Sequence, residues 1–190
     1  MGGAIAHLLS RSGARIVAWA DDEKCVSKDD GLDVAQLLRS RANGRITGAG
    51  GAARTGPPAE VLGARCDVLV LAAISRAFDL DKVPHLACRA IVEAANLALS
   101  GEVEGALHRA GVVVIPDILA SAGGSIAVEA LYSGTPADGQ AILAHVSHRI
   151  AALVQQTLDS SRTMRLTPRE AAMRNAAWCG DDASTGVTGG

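Results

Sequence analysis

The sequence predicts a doubly wound α/β fold: a parallel sheet flanked by helices, closed by a run of helices at the carboxyl end. Three observations point there. Short β-rich runs alternate with helical ones through the first two thirds of the chain, as in crossover-connected parallel strands. The run Val112 to Ile115 is continuously apolar, which implies a strand buried on both faces. Of the 190 residues 48% are hydrophobic but only 2% aromatic, so the core is aliphatic, and its many small side chains suit close packing of helix on sheet.

Taken in order, Ala4 to Ser12 carries Ile5, Leu8 and Leu9 on one side of a helix, with Gly13 where a C-terminal cap belongs. Ala14 to Ala20 is β-rich and ends at Asp21 and Asp22. Asp33 reads as an N-cap ahead of Val34, Leu37 and Leu38 at helical spacing. Asn43 to Pro58, rich in Gly and Ala, reads as a loop with at most a short strand at Arg45 to Thr47. A brief helix from Pro58 precedes a strand at Asp67 to Leu71. A helical turn at Asp79 to Leu86, a strand at Arg89 to Glu93, a helix at Gly101 to Ala110 and a strand at Val112 to Ile115 follow. Beyond Gly124 the pattern is helical. Ser125 to Tyr132 forms one helix, broken by Ser133 to Pro136, and Ala137 to Ser161 forms a second with apolar residues three and four apart. Thr167 to Glu170 is a capping box with proline at the first helical position, opening a helix that reaches about Trp178. The domain reading is a sheet domain over 1–135, closing helices over 136–178, and a small, polar, disordered tail over 179–190.

Composition excludes several classes. A net charge of −2 without a basic run offers no footprint for a nucleic-acid backbone. The longest apolar run is too short for a bilayer, and Met1-Gly2-Gly3-Ala4 is not a signal-peptide start. Cys25, Cys66, Cys88 and Cys179 form no CxxC pair, so they read as reduced thiols of a cytoplasmic protein rather than a disulfide framework or a zinc site.

Two strand ends carry the functional signal. Val112 to Gly124 runs from a buried strand through Pro116 and Asp117 to a paired glycine. Ile91 to Asn96 ends a second strand in small residues and one amide. The carboxyl ends of strands are where open α/β sheets bind nucleotides. A dinucleotide-binding sheet of Rossmann type opens with a strand, a G-x-G-x-x-G turn and a helix. Here Gly2 leads directly into the helix, and Asp21 ends the next strand nineteen positions later, near the usual offset of about 20 from the glycines to a ribose-binding acid. Gly2 therefore reads as the last glycine of that turn, in a Rossmann-type parallel sheet lacking its first strand. The expectation is a piece of a longer polypeptide, or a start assigned to an internal methionine.

These residues resemble a known family. Gly31-Leu32-Asp33, the strand end Cys66 to Ala73, Val92 to Asn96, and Val114 to Gly124 occur in the order found in the glutamate/leucine/phenylalanine/valine dehydrogenases. The resemblance is to the C-terminal cofactor-binding domain and extends from Gly2 to about Ala177. It implies NAD(P)-dependent oxidative deamination of an L-amino acid to a 2-oxo acid and ammonia. It also implies NAD as cofactor (NADP a further possibility) and a full-length form that is a homo-oligomer, while charge and hydropathy give no nucleic-acid and no membrane partner. On this resemblance Gly2 would lie by the pyrophosphate and Asp21 on the adenosine ribose. Ala72 and Ala73 would line the adenosine side, and Asn96 would meet the nicotinamide ribose. Ser121, Gly123 and Gly124 would flank the nicotinamide ring, and Val128 would face the substrate, favouring an apolar amino acid. The family's catalytic lysine and aspartate belong to a domain not represented here, so no residue inherits a catalytic role and no turnover is expected of these residues alone. The chain departs from the family pattern at Ala94, at Leu97 to Gly101 and at Ser121, which leaves a non-catalytic nucleotide-binding module as the second reading.

Other candidates have plainer readings. His145 and His148 share a helix face at metal-compatible spacing, but no carboxylate or cysteine accompanies them, so they read as helix-surface histidines. Glu93 ends a strand with no partner carboxylate in view, and Ser121 and Ser125 lack a His/Asp arrangement for hydrolysis.

Overall fold

The computed structural model describes residues 1–42, 45–48, 53–73 and 77–184. Helix α1 (Gly2–Arg11) leads to β1 (Ala18–Ala20) and β2 (Cys25–Ser27). Next come α2 (Val34–Arg39), β3 (Arg41–Ala42), β4 (Arg45–Ile46) and β5 (Arg54–Gly56). A 3-10 turn at Pro58–Gly63 precedes β6 (Val68–Leu71), and another at Leu80–His85 precedes β7 (Ala90–Glu93). Then come α3 (Gly101–Arg109), β8 (Val113–Ile115), α4 (Asp117–Ala120), α5 (Gly123–Tyr132), α6 (Gly139–Met164) and α7 (Pro168–Ser184).

The expected parallel sheet is present. β6, β7 and β8 pair in parallel in that order, with Leu71 opposite Glu93 and Val92 opposite Ile115. Its core joins Leu69, Leu71, Ile91 and Val114 of the sheet to Val103 and Leu107 of α3. Ser100 caps α3, accepting from the Val103 N–H at 3.3 Å. The amino half of the fold differs from a purely parallel plan. β1, β2 and β5 form an antiparallel sheet in that order, and β3 and β4 a two-stranded ribbon. Val26, Leu32, Leu37 and Ile46 make a second core there.

Several expectations are corrected. The β-rich run from Ala14 contributes only Ala18–Ala20 to a ladder, because β2 is just as short. Ile16 and Val17 instead accept from the N–H groups of Leu32 and Lys28. The segment Val112 to Ile115 is not buried on both faces: Val113 is 37% exposed, because β8 is the outer strand of its sheet. Helix α7 continues to Ser184, past the expected end near Trp178, and residues 185–190 of the expected tail lie outside the described residues. The capping box at its start forms, with Glu170 Oε2 accepting from the Thr167 N–H at 2.8 Å. Among the described residues no helix is long and apolar enough to cross a membrane.

Candidate functional site

Parallel strands end on the same side, so the loops after β6, β7 and β8 share one edge of the sheet. Ala72 and Ala73 follow β6, and the Ala95 N–H donates to the Leu71 carbonyl at 2.7 Å, tying the β7 loop to the β6 end. Asn96, exposed, sits in that loop. Beyond β8 the chain turns at Pro116 into α4, whose last residues deliver Ser121, Gly123 and Gly124 to the start of α5. Gly2 joins this edge: a Cβ at Gly2 would lie 3.7 Å from the Ala72 Cβ. Its N–H is among the four at a helix start that lack an intrahelical acceptor.

The remaining expected residues have different settings. Asp21 follows β1 in the other sheet and organises a turn. Its Oδ1 accepts from the N–H groups of Glu23 and Lys24, both at 2.9 Å, and its Oδ2 from the Ile46 N–H at 2.6 Å. Burial pushes this carboxyl up, but the Ile46, Lys24 and Glu23 N–H groups outweigh it and hold the group below its ordinary value. Asp22 and Glu23 both pair with Arg45, at 2.7 and 2.9 Å. Ser121 donates its hydroxyl proton to the Asp117 carbonyl at 2.5 Å, which leaves its oxygen able to accept. Val128 is 55% exposed on α5. His145 meets Glu129 at 3.2 Å, and among the described residues no group of three or more His, Cys, Asp or Glu is placed to hold a metal.

One feature was missed in the sequence. Glu93 does have carboxylate neighbours: Glu93, Glu104 and Asp117, from β7, α3 and α4, are all buried and converge on Arg169 of α7. Arg169 Nε donates to Glu104 at 2.6 Å, Nη1 pairs with Asp117 at 2.8 Å, and Nη2 reaches Glu93 at 3.3 Å. Burial, with the Glu104 hydrogen bond and charge, pushes Glu93 up to about 7 against the opposing pull of Arg169 and the Leu99 N–H. Asp117 goes the other way. Burial raises it, but the Leu97 N–H, Arg169 and the Ile118 N–H together hold it below its ordinary value.

The edge therefore offers small residues for close backbone approach, a helix N-terminus suited to an anion, and polar side chains at Asn96 and Ser121. This set fits a dinucleotide: a pyrophosphate suits a helix start beside glycine and alanine, and nothing within 4 Å would meet a Cβ at Gly124.

Comparison with known proteins gives the chain's family. Residues 1–181 match the family described as Glutamate/Leucine/Phenylalanine/Valine dehydrogenase. The NADP-specific glutamate dehydrogenase A1 of Halobacterium salinarum is 36% identical over 124 residues, covering 65% of this chain and 30% of that protein. The catabolic NAD-specific glutamate dehydrogenase RocG of Bacillus subtilis (strain 168) is 34% identical over 124 residues, covering 65% of this chain and 29% of that protein. The crystal structure of hetero-hexameric glutamate dehydrogenase from Thermus thermophilus, in its Leu-bound form, superposes with a TM-score of 0.80 at 31% identity. That match covers 99% of this chain and 46% of the other. The chain thus spans about a third or less of the length of these two sequence relatives.

Proposed function

The chain belongs to the glutamate/leucine/phenylalanine/valine dehydrogenase family, and on that footing we propose that it supplies the nicotinamide-dinucleotide-binding part of an amino-acid dehydrogenase. The observation that supports the proposal is one sheet edge: Gly2 lies beside Ala72, and the Asn96 loop and the segment leading to Ser121 leave the same ends of the parallel strands β7 and β8. The reaction is oxidative deamination of an L-amino acid to a 2-oxo acid and ammonia, and the bound cofactor supplies the hydride acceptor. The protein's part is to bind and orient. The α1 N-terminus beside Gly2 and Ala72 takes the pyrophosphate, and Asn96 fixes the nicotinamide ribose. The Ser121 oxygen accepts from the carboxamide, and the Gly123 and Gly124 backbone lies along the ring. Val128, exposed one helical turn further on, faces an apolar amino acid.

NAD is favoured over NADP. Asp21, Asp22 and Glu23 stand together beside Arg45 and Lys24, and the remaining excess of negative charge repels a 2′-phosphate. The 1–135 segment acts as the cofactor domain, with the helices over 136–178 packing against α4, α5 and β8. The proton-transferring groups belong to the substrate-binding part of the full-length enzyme, which assembles as an oligomer. Calorimetric titration of NADH and NADPH into the folded chain tests the proposal. Saturable binding with NADH the tighter is expected, and no heat from either ligand in a sample folded by circular dichroism overturns it.

A further inference from the structure

Leu97 is one of two non-glycine residues with positive φ among those described, at 48°. Left-handed backbone is unfavourable for a side chain such as leucine, and it persists only where surrounding structure imposes it. Packing of the side chain does not impose it, since Leu97 is 57% exposed. Hydrogen bonds do. The Leu97 N–H donates to Asp117 Oδ2 at 2.7 Å, and the Leu99 N–H to Glu93 Oε2 at 3.2 Å. The turn that presents Asn96 is thus held by two carboxylates buried to 2% and 0% exposure.

Those carboxylates could not hold it alone. Glu93, Glu104 and Asp117 would repel one another in a poorly solvated interior. The guanidinium of Arg169 meets all three, using its Nε, Nη1 and Nη2 separately. Its own place is set by the first turn of α7, where Thr167 and Glu170 cap the helix and Pro168, Ala171 and Ala172 are buried. Asp117 also anchors the second loop, because its carbonyl accepts from the Ser121 hydroxyl.

We propose that Arg169 is a positioning residue for the nicotinamide half of the crevice: through Asp117 and Glu93 it fixes the strained Asn96 turn and the Ser121 segment in register. The closing helices are then part of the binding device. This inference rests on the proposed function, and its test separates the two.

The substitution is Arg169→Lys, which keeps the charge but cannot present three directed donors from a planar fork. NADH and ADP are titrated into wild type and variant, ADP reporting the adenosine side alone. The expected result is a loss of roughly tenfold for NADH with ADP changed by less than about twofold. Amide exchange at Leu97 and Leu99 should accelerate while that of Ile91 in the sheet stays as it was. Equal weakening of both ligands, or parallel acceleration of all three amides, would reveal a role in general stability only and overturn the proposal. If Arg169→Lys does not fold, Asp117→Asn keeps an acceptor for the Leu97 N–H while removing the ion pair, and the same split is expected. Unchanged NADH binding there overturns the proposal too. If wild type binds neither ligand, the cofactor reading fails, and the exchange rates at Leu97 and Leu99 still decide whether Arg169 holds the turn.

Discussion

Replacing Glu93 by glutamine should remove a pH dependence from the stability of the fold. Glu93 is fully buried, and its carboxyl is raised from 4.5 to about 7. Between those values the folded protein holds a proton that the unfolded chain has released, so stability falls as pH rises through this window. At about 1.4 kcal/mol per pH unit the full effect is on the order of 3 kcal/mol, complete above about pH 7. The amide of Glu93→Gln cannot ionise, yet it still offers an oxygen to the Leu99 N–H. Urea unfolding of both proteins from pH 4.5 to 8.5 isolates the effect, because other titrating groups are common to the two and cancel in the difference. The variant should gain on wild type steadily across the window, by a few kcal/mol at its upper end. Parallel pH profiles would show that Glu93 is ionised throughout, and its raised carboxyl would be refuted.

Three further outcomes are expected. Leu97→Gly relieves the left-handed strain at an exposed position and should raise the unfolding free energy by about 1 kcal/mol, read by urea denaturation. Asp138→Ala removes the cap that accepts from the Ala141 N–H at 2.9 Å, and should cost about 1 kcal/mol by the same measurement. Gly2→Ala places a Cβ in ordinary contact with Ala72, so thermal unfolding should be unchanged while NADH affinity drops as the backbone is held away from the pyrophosphate.

The parallel half of the fold was legible because its signals are local. The apolar runs of β6 and β8 and the capping box at Thr167 to Glu170 declare themselves within a few residues, and Asp33 caps α2 as expected. The antiparallel half was not. β2 and β5 are three residues each, and Cys25 pairs with Gly56 across an intervening helix and ribbon, so neither strand has a pattern of its own. Likewise α4 is four residues long, shorter than any helical period can reveal. The strand ends were legible, since Ala72 and Asn96 each follow a recognisable strand and Ser121 follows β8 by way of α4. The cluster that braces those loops was not, because Arg169 lies 76 positions from Glu93 and each member alone looks like a solvated charge. Only the oddity of Glu93 ending an apolar strand and Asp117 closely following another hinted that buried charge needed a partner.

On the proposed function, Gly2, the β6 end, the Asn96 turn and the Ser121 to Gly124 segment rim one dinucleotide crevice. Amide chemical-shift mapping during an NADH titration of the ¹⁵N-labelled chain tests it most directly. Shifts of Gly2, Ala72, Ala73, Asn96, Ser121 and Gly123 that saturate together are the result expected. A well-dispersed spectrum in which these amides stay still, or move only with residues remote from the carboxyl ends of β6, β7 and β8, would contradict it.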